Sequence, residues 1–317
     1  MRRLVLVLAT TVLLVTACAL PQQREEETLG KIAATPQEIE TVFARYEVVR
    51  DTAARLLSPN PLSIIQTEAV LDIETGSFEV AQRLAASDPE QDDPIDVQRT
   101  YTPRFGSYPL WFVAVVRDEG REVTRVQVFE RAAAADPWLL IATPETVLDA
   151  DLPELRERDG AVVRVAPDDE AGTGVSAQRA ADDYAALLAD AESDVATTFA
   201  ADGFVEQVRA ATEQNRALEG VGFEQTWASQ EVRHAVRTSD GGILAFVDLS
   251  REDTYDAPDD VTVTWPEDSP QRAFVPDGLS TTGTLLYRHQ VLMLIPVGDE
   301  PVRVIGQFGG VVGAEGF

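Results

Sequence analysis

The sequence predicts an α+β protein of two tandem units, each with N-terminal helices packed on a curved antiparallel sheet. Three observations carry that expectation. Helix-patterned segments come first and strand-patterned segments follow, with no βαβ alternation. The plan then starts again after a charged, Pro- and Gly-rich stretch at 149–175. Four blocks also recur in the same order: GSFEVAQRLAA with GFVEQVRAA, WFVAVVRD with ILAFVDLS, RVQVF with RHQVL, and DPWLLIA with EPVRVIG, the pattern of a duplicated unit.

The first helix opens at Thr35-Pro36-Gln37-Glu38, a capping box with Pro at the first helical position. Ile39, Val42, Phe43, Tyr46 and Val49 follow at helical spacing, and Pro59 and Pro61 stop the pattern after Leu56. A short second helix is expected from Ser77, with Phe78, Ala81 and Leu84 on one side. Residues 87–96 read as a loop. Strands are expected over 97–104, 110–117, 122–131 and 138–143, the middle two joined at Asp118-Glu119-Gly120. In the second unit Ser176 and Asp202 are N-caps of two helices. Strands follow over 231–238, 243–250, 284–296 and 302–308, with an insertion at 251–283 that reads as a long loop or extended hairpin. The resulting division is 1–17, 18–34, 35–148, 149–175 and 176–317.

Residues 1–17 carry the parts of an export signal: Arg2 and Arg3, an apolar run from Leu4, then the small residues Thr16 and Ala17. The apolar run is shorter than the roughly 20 residues a spanning helix needs. Val15-Thr16-Ala17-Cys18 resembles the lipobox of bacterial lipoproteins. That resemblance implies a diacylglyceryl group on Cys18, cleavage before it, and an extracytoplasmic protein held on the cell membrane by its own lipid. Two acyl chains give an anchoring that one does not. Cys18 is the only cysteine, so no internal disulfide supports the fold. Residues 18–34 read as a solvated tether.

The formal net charge is −28, and it becomes −30 once Arg2 and Arg3 are removed. Phosphate backbones would be repelled, which excludes nucleic acid as a partner. An anionic lipid surface would be repelled too, so tethering falls to the lipid on Cys18. Lys31 is the only lysine, which fits the codon usage of a high-GC genome.

A unit of helices followed by a curled sheet resembles the cone-like fold of the nuclear transport factor 2-like superfamily, to which SnoaL and ketosteroid isomerase belong. Tyr108-Pro109-Leu110-Trp111-Phe112 and Asp136-Pro137-Trp138 also resemble a domain of unknown function found in actinobacterial lipoproteins. The resemblance implies a fold and a location, with no activity attached.

Chemistry-bearing residues are few. His234 and His289 are the only histidines. By strand parity each shares a face with apolar neighbours, and Asp248 has the parity to join them in an acid-base site. No nucleophile or second catalytic carboxylate accompanies them, and the aligned positions of the first unit are Thr102, Val126 and Val116, so the expectation is a protein without a catalytic set. Asp168-Asp169-Glu170 with Gly172 begins like a calcium loop, but Arg179 stands where a bidentate glutamate belongs. The acid pairs at 92–93 and 259–260 have no loop spacing. No metal and no cofactor is expected.

Most aromatics are expected in the core. Tyr101, Trp111 and Trp138 are candidates for a pocket, and Trp265, inside the insertion, for an exposed interaction loop. The sequence therefore points to an anchored binding or accessory module of the cell envelope, with a small apolar ligand or an envelope protein as partner. Two alternatives are a pocket enzyme of isomerase or hydrolase type using His234, His289 and Asp248, and a structural partner acting through residues 251–283.

Overall fold

The structure is a computed structural model that describes residues 30–84, 94–118, 123–146, 151–170, 172–258 and 260–316. The export signal, the lipobox with Cys18, most of the tether and of the 87–96 loop, most of the expected turn at 118–120, and the acid pair at 92–93 lie outside these residues, as does Asp259.

The architecture is mixed α+β: a curled antiparallel half-barrel sheet with a few helices. The sheet contains β1 (Ile95–Tyr101), β2 (Leu110–Asp118), β3 (Thr124–Arg131), β4 (Leu139–Ala142), β5 (Glu145–Thr146), β6 (Gly222–Ser229), β7 (His234–Arg237), β8 (Ile243–Asp256), β9 (Thr282–Ile295) and β10 (Arg303–Glu315). Their order is β6-β8-β9-β10-β5-β3-β2-β1, with β7 also on β8 and β4 also on β3. Each half of the chain is thus a meander, and the two meanders meet where β10 pairs with β5 at Gly306–Thr146 and Gln307–Glu145. A Cβ on Gly306 would stand 2.8 Å from the Glu145 carbonyl oxygen, so that close join requires glycine.

Helix α1 (Pro36–Leu56) starts at the capping box read from sequence: the Glu38 amide donates to Thr35 Oγ1 at 3.2 Å and the Thr35 amide to Glu38 Oε2 at 2.8 Å. These bonds hold the Glu38 carboxyl below its ordinary pKa, the Thr35 amide contributing most. Helix α2 (Glu68–Leu84) begins nine residues before the expected start at Ser77. Gly76 sits inside it, where a Cβ would be 2.4 Å from the Val311 carbonyl oxygen, so the glycine marks a close crossing of α2 over β10. Val70 packs in the first-half core and Val80 against the far end of the second half, so α2 bridges both. Helices α3 (Ala177–Ala189) and α4 (Gly203–Arg216) are capped by Ser176 and Asp202. The Tyr184 hydroxyl donates to Asp202 Oδ2 at 3.1 Å and ties the two helices together.

Three packed layers follow from strand alternation. Phe112, Ala114 and Phe129 face α1 with Ile39, Phe43 and Tyr46. In the second half Ile243, Ala245, Val247, Val291 and Met293 face α3 with Ala180, Tyr184 and Leu188. Between the halves Trp111, Val113, Val126 and Val128 meet Val236, Leu244, Phe246, Leu292 and Ile305 in one shared core.

That shared core corrects two expectations. The stretch at 149–175, expected as the linker between the units, packs into the join through its described residues: Leu155, Ala161, Val162 and Val165 are buried, and Leu155 and Arg164 bridge to Thr238 and Val236. The recurring blocks are also out of phase, since Trp111 faces the shared core while its aligned partner Ile243 faces α3. A one-residue offset reverses every side chain of a strand, so WFVAVVRD and ILAFVDLS match in composition with opposite faces.

Candidate functional site

The candidate histidine site does not assemble. His234 on β7 lies opposite Phe246 and faces the shared core, where its Nε2 is 2.8 Å from Glu130 Oε2 and its ring meets Trp111 at 5.4 Å. His289 on β9 lies opposite Leu249 and faces the helices, against Phe204 and Trp227 at 5.1 and 5.2 Å. The two rings are on opposite faces of one sheet. Asp248 shares the face of His234, but its Oδ1 accepts from Gln290 Nε2 at 2.7 Å, and Gln290 also donates to the Ile141 carbonyl at 2.8 Å and accepts from the Thr143 amide at 3.0 Å. Burial raises the Asp248 pKa, while the glutamine makes it part of the join between the halves.

His289 instead lines a cavity of about 660 Å³ between the second-half sheet and α4. Strand register builds its floor. Trp227 on β6, Arg251 on β8 and Tyr287 on β9 stand in one cross-strand row, so the guanidinium lies over the Tyr287 ring at 4.4 Å and near Trp227 at 5.6 Å. The next row holds Gln225 and Asp253. Asp253 is fully buried and accepts from Arg251 Nε at 2.8 Å, from Arg251 Nη2, and from Gln225 Nε2 at 2.8 Å. Gln225 Oε1 in turn accepts from Trp227 Nε1 at 2.8 Å and Thr212 Oγ1 at 3.1 Å, linking the floor to α4. On the other side Leu249, His289 and Gly309 form a row. A Cβ on Gly309 would be 2.4 Å from His289 Nδ1, so only glycine leaves room for the ring.

The wall is closed by the insertion and by the first half. Trp265 packs edge-on against Tyr255 at 5.3 Å, and Gln271 Nε2 donates to the Tyr287 hydroxyl at 3.2 Å. Glu145 and Thr146 of β5 complete the rim beside Gln307. Trp265 is therefore half-buried cavity wall, which corrects its reading as an exposed interaction residue. The insertion is in part regular structure: residues 251–256 and 282–283 prolong β8 and β9 as an extended hairpin, and α5 (Pro270–Phe274) lies between them.

Electrostatically the cavity is quiet. Burial, with Arg251 nearby, pushes the His289 pKa down to about 3, so its imidazole is neutral. Burial pushes Tyr287 up to about 12. Burial also pulls on Arg251, but its hydrogen bonds and charge pairing with Asp253 outweigh this and hold its pKa above the ordinary value. The arginine charge is thus matched internally.

The other pocket candidates fall elsewhere. Trp111 belongs to the shared core, and Tyr101, in the same core, also lines a separate cleft of about 370 Å³ with Val113, Leu155 and Leu244. Trp138 packs on Phe112 at 5.1 Å and lines a first-half cleft of about 420 Å³ at the start of α1. There Glu38 caps the helix, Arg45 donates to the Ile64 carbonyl at 2.9 Å and Arg131 donates to the Ala134 carbonyl, so these charged groups hold local structure. Asp169, in the calcium-like stretch, accepts from Arg237 at 2.8 Å. Among the described residues no three His, Cys, Asp or Glu side chains gather as a metal site, and no helix is long and apolar enough to cross a membrane.

Sequence reading missed Arg251, Asp253 and Gln225. A signal existed: Leu249, Arg251, Asp253 and Tyr255 continue the alternation of β8 on its apolar face, and Phe223, Gln225 and Trp227 alternate along β6.

A search of curated proteins and one of solved structures each found no match. A family model does match, over residues 31–316, which takes in nearly all the described structure, and the chain accordingly belongs to the DUF8094 family, a domain of unknown function.

Proposed function

We propose that the protein is a lipid-anchored, extracytoplasmic binding module of the cell envelope, tethered through Cys18 and built from two cone-like α+β units, which holds a small molecule in the second-half cavity. The observation that carries this reading is that two polar groups lining the cavity, Arg251 and Gln271, are held by the network beneath its floor and by its wall. Arg251, Asp253, Gln225, Trp227 and Gln271 are committed to one another or to the walls, which suits holding a shape more than transferring a proton. The cavity volume lies in the range of small-molecule sites.

Two measurements test it. Cys18→Ser should move the protein from the membrane fraction to the soluble one, or leave it unprocessed, and unchanged lipid labelling would remove the anchor from the proposal. Ala211, on the cavity face of α4, offers a way to fill the site. Native mass spectrometry of the purified protein should show a bound small molecule that disappears with Ala211→Trp.

A further inference from the structure

We propose that the second-half cavity takes an uncharged, flat, largely apolar molecule that hydrogen-bonds to Nε2 of His289 through a hydroxyl or amide group. This rests on the binding-module reading and adds the ligand's chemistry.

Four observations converge on it. The Nε2 atom of His289 is buried, belongs to a cavity-lining residue, and has no hydrogen-bond partner. A buried polar atom left unmatched costs free energy that a ligand group would recover. Secondly, the ring cannot turn away freely, because the Gly309 backbone lies against its Nδ1 edge while Phe204 and Trp227 flank it. Its unmatched nitrogen is held in place. Thirdly, the charges do not invite an ion. Arg251 is matched by Asp253 behind it, and the remaining charged lining residue is Glu145, so an anion would lose its water without gaining an unmatched cation. Lastly, the walls are rings. Tyr287 lies parallel to His289 with a 9° interplanar angle, Phe204 and Trp265 stand in the same lining, and Trp227 packs against His289 at 5.2 Å from outside it. Such walls favour a flat apolar body. A hydroxyl or amide both donates and accepts, so it satisfies Nε2 in either neutral tautomer.

The test uses three probes of one shape, 2-naphthol, 2-naphthamide and 2-naphthoate, titrated calorimetrically into the full chain and its variants. The neutral pair should bind at least about tenfold more tightly than the carboxylate, and His289→Phe, checked for native circular dichroism, should weaken the neutral pair by about tenfold. Equal affinity for naphthoate, or naphthol binding unchanged in His289→Phe, would overturn the ligand class, leaving the nitrogen an unmatched buried atom only. If all three probes bind equally and Ala211→Trp abolishes them, the binding-module reading stands and this inference falls. If none binds, or Ala211→Trp changes nothing, both fall together.

Discussion

The two halves place helices on the same kind of meander and finish the helix-facing side differently. In the first half four rings close it: Phe129 meets Phe43, Tyr46 and Phe112 at 5.2 to 5.7 Å, two edge-on and one stacked. In the second half the corresponding side carries Arg251, Asp253, Trp227, Tyr287 and His289, and α4 presents Val208 and Ala211 across a gap. Bulky rings meeting at the centre fill a curled sheet, whereas a row of polar groups bonded to one another sets the helix off from it. One layout thus yields four rings meeting on the sheet in one half, with a cleft of about 420 Å³ at their edge, and a polar floor under a larger cavity of about 660 Å³ in the other, through side-chain choice on a few strand positions.

The largest effect that separates these strategies is expected in the packed half. Phe129 is 1% exposed, and Phe129→Ala removes the ring on which three others converge, at a cost of about 3–5 kcal/mol. Denaturant unfolding of the purified variant checks it. A loss under about 1 kcal/mol would show that the first half collapses around the gap and is less tightly packed than its ring geometry implies.

In the open half the sensitive element is electrostatic. Asp253→Asn keeps the shape but leaves the buried Arg251 charge uncompensated, which typically costs about 3 kcal/mol or more. The same unfolding measurement applies. The comparison would be sharpened by the ring Tyr287, whose replacement by Phe should cost about 1 kcal/mol, since it removes one hydrogen bond from Gln271 and leaves the stacking intact. If Tyr287→Phe proved as damaging as Phe129→Ala, the second half would depend on its rings as the first does.

How much of this was legible in the sequence depends on the range of the interactions. Local signals were sufficient for α1, whose capping box and apolar spacing lie within consecutive turns, and for the caps Ser176 and Asp202. The start of α2 was missed because Gly76 reads as a breaker, and its actual purpose, letting α2 cross the Val311 carbonyl, depends on a residue far along the chain. Parity placed His234 and His289 each on an apolar face, but nothing in parity states which of two buried faces a strand residue occupies. The shared core between the halves gave the sheet apolar residues on both sides, and the histidines divided between them. Arg251 and Asp253 were assigned to the insertion because charged residues normally mark a strand's end. Here each satisfies the other, so the strand continues through them.

The difference between the halves also has a pH signature, and its effect at neutral pH is the smallest of the set. His289 in the folded protein is held near a pKa of 3, against an ordinary value of 6.5, by burial and by Arg251. Its ring is neutral in both states above the unfolded value, so it imposes no pH penalty there. As pH falls below 6.5 the unfolded chain binds a proton that the folded chain refuses, and folding stability declines until the folded ring titrates near 3. Two consequences can be measured. The ring-proton shift of His289 should stay constant from pH 8 to pH 4, and the urea midpoint of the wild-type protein should fall over that acid range more steeply than that of His289→Phe. A His289 resonance titrating with an ordinary midpoint would mean that the cavity admits enough water to solvate an imidazolium. The open half would then differ from the packed half in wetness and not only in space.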